Sequence, residues 1–139
     1  MREILFRGKR LDNGEWVEGF YCSMAETTYA FKEDYERNPV ATHHYIAYSQ
    51  MTDWGLPNKM YLREVDPTTV GQYTGLTDKN GKRVFEGDIL LNTTFGDKWV
   101  TEYEDGAFVL KLIGDIERVF LGIVVGFAVI GNIHDKEET

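Results

Sequence analysis

With 23 acidic and 15 basic side chains in 139 residues, the chain carries a formal net charge of −8, and this disfavours sequence-independent binding to duplex DNA or RNA, where Lys and Arg must neutralise phosphates. A hydrophobic content of 42%, a third of it aromatic (14%), argues against disorder and is enough for one domain with a real core. The single cysteine, Cys22, excludes an internal disulfide framework and any zinc site built on a Cys pair.

Residues 4–7 and 15–20 are predicted to be extended. Asp12, Asn13 and Gly14 between them are turn residues, so the chain opens on a hairpin. Alternation along 15–20 is imperfect and leaves open which face is buried. Charges at Arg2, Glu3, Arg7, Lys9 and Arg10 leave no apolar signal-peptide region, and a cytoplasmic location in a host cell is expected. Residues 23–58 are the least regular. Phe31 and Tyr35, four apart in a charged run that ends before Pro39, can share one face of a short helix. Residues 42–48 are rich in β-formers and predict a strand, and residues 51–59 read as a loop. The region 22–62 is expected to be an insertion-like elaboration with no core of its own. Residues 61–65 alternate as a strand does, and Asp66 before Pro67 predicts one short helical turn.

The stretch 70–91, VGQYTGLTDKNGKRVFEGDILL, is the most informative in the chain. Asp78 to Lys82 is turn chemistry between two extended segments, and Asn80-Gly81 supplies residues that tolerate positive φ. Gly71 and Gly75 are expected to set tight turns. Beyond residue 88, strands are predicted at 89–94, 99–103, 107–113 and 119–129, at a spacing of about ten residues with Gly and Asp between them. That spacing implies a small barrel or sandwich.

Three segments carry a resemblance to a known family. GQYTGL, DKNGK and FEGDIL in the central stretch are similar to the signature of the YopX family of phage and prophage proteins. The opening, Met1 to Arg10 with Asp12 to Val17 behind it, resembles that family's first hairpin. Val129-Ile130-Gly131-Asn132-Ile133 resembles its closing strand. The resemblance implies a phage origin, a mainly β fold and one domain spanning 1–139. It supplies no catalytic residues. Together with the spacing of the strands it leads us to expect a mainly β chain, with an SH3-like or barrel-type C-terminal half, an N-terminal hairpin and an elaborated middle.

Chemistry-bearing motifs are absent: there is no G-x-S-x-G, no phosphate loop and no H-E-x-x-H. His43 and His44 are adjacent, so on a strand they point to opposite faces and do not chelate one metal. Glu86 and Asp88 share a face if extended and so admit acid–base chemistry. The simpler reading has Gly87 making a bend and Asp88 accepting from backbone amides. No catalytic, cofactor or metal residue is therefore assigned. The aromatics of the middle region fit a core, a protein contact or stacking of single-stranded nucleic acid, and Tyr35, Tyr45, Tyr48 and Trp54 are taken as protein-contact candidates. Residues 120–127 are apolar on both alternating faces, which predicts a cover, a second copy in a homo-oligomer or, alternatively, residues 29–54 of the same chain folded over this strand. The function expected is that of a non-enzymatic phage or prophage accessory protein acting on a host or phage protein. The alternatives are a nucleic-acid-associated small barrel and an enzyme with an unrecognised site.

Overall fold

The computed structural model describes residues 1–115, 117–120 and 126–135. The fold is mainly antiparallel β, and the chain divides into two compact units, Leu5–Val70 and Met1–Ile4 with Gly71–Thr139.

The first unit contains β1 (Phe6–Lys9), β2 (Trp16–Ala25), α1 (Lys32–Arg37), β3 (Thr42–Gln50), β4 (Lys59–Glu64) and a 3-10 turn at Pro67–Thr69. The expected hairpin is present. Gly14 takes a φ of 72° in its loop, and the Arg10 amide donates to the Glu15 carbonyl at 2.9 Å. The strands lie in the order β4-β3-β2-β1, all antiparallel. Their register puts Phe6, Val17, Tyr21, His44, Ile46, Tyr48 and Tyr61 on one face. Val17, Ile46 and Val65 are buried there, with Phe6, Tyr21, Tyr48 and Val70 packed against them. This answers which face of β2 is inward. The alternation looks broken because the inward position 19 is a glycine. A Cβ at Gly19 would lie 2.1 Å from the Ala47 carbonyl oxygen, so the backbones approach too closely for any side chain.

The sheet then closes on itself. Arg10 and Val65 form a bridge, the Leu11 amide donates to Glu64 O at 3.1 Å and the Asp66 amide to Lys9 O at 2.9 Å. Just after it, the Asp66 side chain caps the Thr68 amide at 3.0 Å, as the Asp-Pro pair predicts. The Lys9 amide donates to the Thr69 hydroxyl at 2.9 Å. The end of β4 is thereby sewn to the end of β1, with the core face inside. The middle of the chain supplies β3 and β4 to this curl, and its Ile46 shares a core with the hairpin.

The second unit contains β5 (Gly71–Thr77), β6 (Arg83–Phe85), β7 (Asp88–Asn92), β8 (Lys98–Glu104), β9 (Ala107–Leu112), β10 (Arg118–Phe120) and β11 (Phe127–Asn132). β5 and β6 pair as a hairpin whose register shifts between Tyr73 and Thr77. In its turn Gly81 takes a φ of 81°, whereas Asn80 does not share the positive φ expected of the pair. Gly71 also differs from expectation. Its φ is not positive, and it is needed because a Cβ would meet Glu86 O at 2.7 Å. Five strands follow in the order β10-β9-β8-β7-β11, so the last returns beside the first, as in a barrel-type sheet. Val84, Leu90, Trp99, Leu110 and Phe127 form the core. The one long strand expected over 119–129 is two strands, β10 and β11, and residues 121–125 between them lie outside the described residues.

Candidate interaction surface

The outer face of the first unit's sheet is unusual. In a half-buried antiparallel sheet the solvent face normally carries polar residues. Here the register aligns Phe20, Ala47 and Leu62 in one row across β2, β3 and β4. Cys22 and Tyr45 lie in the next row, Met24 beyond them, and Met60 on the other side of Leu62. Phe20 is 65% exposed, Met60 70%, Met24 48% and Leu62 48%. Ala47 is the low point between the Phe20 and Leu62 ridges. Scattered apolar side chains on a surface need no explanation, but a contiguous group on one sheet face makes it a candidate interaction surface.

Polar groups bound this face at two ends. At the β1 end, the Arg7 guanidinium lies 4.5 Å and the Lys9 ammonium 5.3 Å from the Trp16 ring centroid, so cations are held on an aromatic surface. At the opposite end, His43 at the start of β3 stands between two carboxylates. Its Nε2 is 2.6 Å from Glu26 Oε1, just beyond β2, and its Nδ1 is 2.6 Å from Glu64 Oε2, at the end of β4. The hydrogen bond to Glu26, then that to Glu64, raises the His43 pKa against a small opposing effect of burial. Both ring nitrogens are engaged, so the imidazolium form is favoured. His44 points the other way, as adjacency predicts, with Nδ1 2.6 Å from the Tyr21 hydroxyl. Among the described residues no group of three or more His, Cys, Asp or Glu side chains has metal-site geometry.

The four nominated aromatics are not brought together. Tyr45 belongs to the outer face, its ring 6.3 Å from that of His43. Tyr48 faces inward against the core and stacks on Tyr61 at 5.3 Å. Tyr35 on α1 makes an edge contact with Tyr29 at 5.0 Å, and Trp54 is 87% exposed in the loop before β4. Of the run 120–127 on which self-association was predicted, residues 121–125 lie outside the described residues. Phe20, Met24, Met60 and Leu62 were missed. Their signal was available in Met60 and Leu62 alternating with Tyr61 and Arg63, but only the strand register says which alternate set is outside.

In the second unit, Asp88 and Asn132 hold the backbone of the β7–β11 edge. Asp88 accepts from the Phe85 amide at 2.8 Å and from Asn132 Nδ2 at 3.0 Å. Gly87, with a φ of 85°, lets its carbonyl accept from the Ile133 amide at 2.9 Å. The Glu-Gly-Asp and Gly-Asn-Ile segments of the sequence are thus partners across the β7–β11 edge. Burial raises the Glu86 pKa, against a smaller opposing hydrogen bond from the Gln72 backbone, and no acid–base pair with Asp88 is formed because Asp88 is committed to Asn132 and the backbone.

No helix among the described residues is long and apolar enough to cross a membrane. No curated protein matches the chain. Among solved structures, the chain is similar to the crystal structure of protein EF1440 from Enterococcus faecalis. The identity is 24% over 96% of this chain and 95% of that one, with a TM-score of 0.51, a likeness that concerns the fold alone. The family model described as YopX protein matches residues 5–138, from β1 through the Asp88–Asn132 lock, and the chain belongs to the YopX family.

Proposed function

We propose that the protein is a phage-related accessory protein that works in the host cytoplasm as a non-enzymatic contact module, binding a host or phage protein through the outer face of the first unit's sheet. The observation that carries this reading is the exposure of Phe20, Met24, Met60 and Leu62 in adjacent rows of that face. Fully burying one such side chain contributes about 1.5–3 kcal/mol, so these residues are suited to anchor a partner that covers the face. The test compares the wild-type chain with a Phe20→Lys, Leu62→Lys variant as bait in phage-bearing cells. Both positions are exposed, so the variant should keep the wild-type melting temperature. A partner captured by the wild type and lost by the variant supports the reading. A partner captured equally by both refutes this face as the contact.

A further inference from the structure

The contact module just proposed also has an edge. β4 is the outermost strand of the first unit's sheet, and its closure onto the hairpin begins only at Glu64, which accepts from the Leu11 amide. Residues 59–63 therefore form an edge with no neighbouring strand among the described residues. Beside it opens a cavity of about 320 Å³ lined by Leu11, Asp12, Leu62, Arg63 and Glu64. Natural edges are commonly blunted by lysines that wave in solvent. The cations here are held instead. Lys59 Nζ lies 5.2 Å and the Arg63 guanidinium carbon 4.9 Å from the Tyr61 ring centroid, and Tyr61 is itself stacked on Tyr48. Arg63 Nε is buried and has no hydrogen-bond partner among the described residues. The acidic groups lining the cavity are already engaged, Asp12 by Arg10 at 2.6 Å and Glu64 by His43 at 2.6 Å.

Resting on the reading of the protein as a contact module, we infer that the edge of β4 receives an extended segment of the partner by strand addition, and that this segment alternates acidic and apolar residues. A strand added to β4 pairs its side chains with those of β4 on the same face. On the inner side it meets Lys59, Tyr61 and Arg63, which favour carboxylates. On the outer side it meets Met60 and Leu62, which favour apolar side chains. The backbone ladder supplies affinity, and this alternation supplies specificity.

The test uses the full chain and synthetic peptides of about six residues, the length of an ordinary strand. One peptide alternates Glu and Val, one alternates Lys and Val, and one has the Glu-Val sequence with a central proline that cannot complete the ladder. Binding is followed by fluorescence anisotropy and by NMR shifts of the backbone amides. The Glu-Val peptide should bind at least about tenfold more tightly than either control, a difference of about 1.4 kcal/mol. Its shifts should concentrate on residues 59–64 and on Leu11 and Asp12. Arg63→Glu should remove the preference for the acidic peptide. Equal affinity for the acidic and basic peptides, or shifts centred elsewhere, overturns the inference. If the Glu-Val peptide fails to bind while Phe20→Lys alone, on β2, still loses the cellular partner, strand addition is wrong and the apolar face stands. If the peptide binds as described but the partner is insensitive to Phe20→Lys alone, which leaves the β4 edge intact, strand addition stands and the apolar face is wrong.

Discussion

Replacing Asp78 should destabilise the second unit more than any other single change in its turns. The residue is only 6% exposed. Oδ1 accepts from the amides of Asn80 and Lys82, both at 2.8 Å, and Oδ2 accepts from the Val129 amide at 2.9 Å on the distant strand β11. Burial alone would raise its pKa. The three backbone donors, Val129 foremost, and the Lys82 charge outweigh it and hold the pKa below the ordinary 3.8. In Asp78→Ala, Asn80 and Lys82 are exposed, so water serves their amides and each bond costs about 0.5–1 kcal/mol, whereas the Val129 amide loses a charged acceptor worth about 1.5–3 kcal/mol. The expected total is about 2.5–5 kcal/mol, a large fraction of the stability of a small domain. Asp78→Asn separates the two roles. Its carbonyl oxygen can keep the Asn80 and Lys82 bonds, but its NH2 then faces the Val129 donor, so about 1.5–3 kcal/mol is lost. Urea denaturation at neutral pH measures both. Because the folded pKa is depressed, the contribution is present above the unfolded value near 3.8 and disappears as pH falls through the folded value. Asp78→Asn should therefore flatten the acid limb of the stability profile. A loss under about 1 kcal/mol for Asp78→Ala would refute the reasoning, since one net hydrogen bond alone is worth that much.

Gly81→Val should cost about 1 kcal/mol or more in denaturation midpoint, because φ is 81° at a position with no steric obstacle but the backbone itself; an unchanged midpoint contradicts it. The raised His43 pKa gives stability that is complete below the unfolded value near 6.5 and is lost as pH rises through the folded value. His43→Gln should remove that alkaline-side decline, and a decline that persists in the variant places its origin elsewhere. Random duplex DNA should show no binding at about 150 mM salt, since a net charge of −8 repels phosphate; a micromolar dissociation constant would promote the nucleic-acid reading.

Local chemistry made much of the fold legible. The Asp12–Gly14 turn, the Asp66-Pro67 cap and the Gly-Asp entry into β7 are decided by a few neighbouring residues, and each stands where the sequence places it. What could not be read depends on distant partners. Gly71 looks like a turn residue, and Gly19 looks like a gap in the alternation of an extended segment. Their reasons are the Ala47 and Glu86 carbonyls, 28 and 15 residues away in sequence (47 − 19 and 86 − 71). The exposed apolar face was hidden for the same reason. Phe20 and Leu62 are ordinary strand residues until the β2–β3–β4 register lays them on one outer row with Ala47 between them. Trp54 drew attention by residue type alone, and type does not say which face a side chain occupies.

The seam between Arg10 and Val65 has a consequence for the order in which the chain is made. β1 to β4 are joined by successive antiparallel neighbours, each formed from chain already synthesised. The seam joins residues 55 positions apart (65 − 10) and draws on Asp66 and Thr69 as well. A nascent chain that has emerged only as far as Glu64 holds all four strands without the residues that fasten the end of β4 to the end of β1. Emergence of Val65 to Thr69 should therefore raise the resistance of the first unit to proteases. A ribosome-stalled series ending either side of these residues would display it as a step in protection and not as a gradual rise.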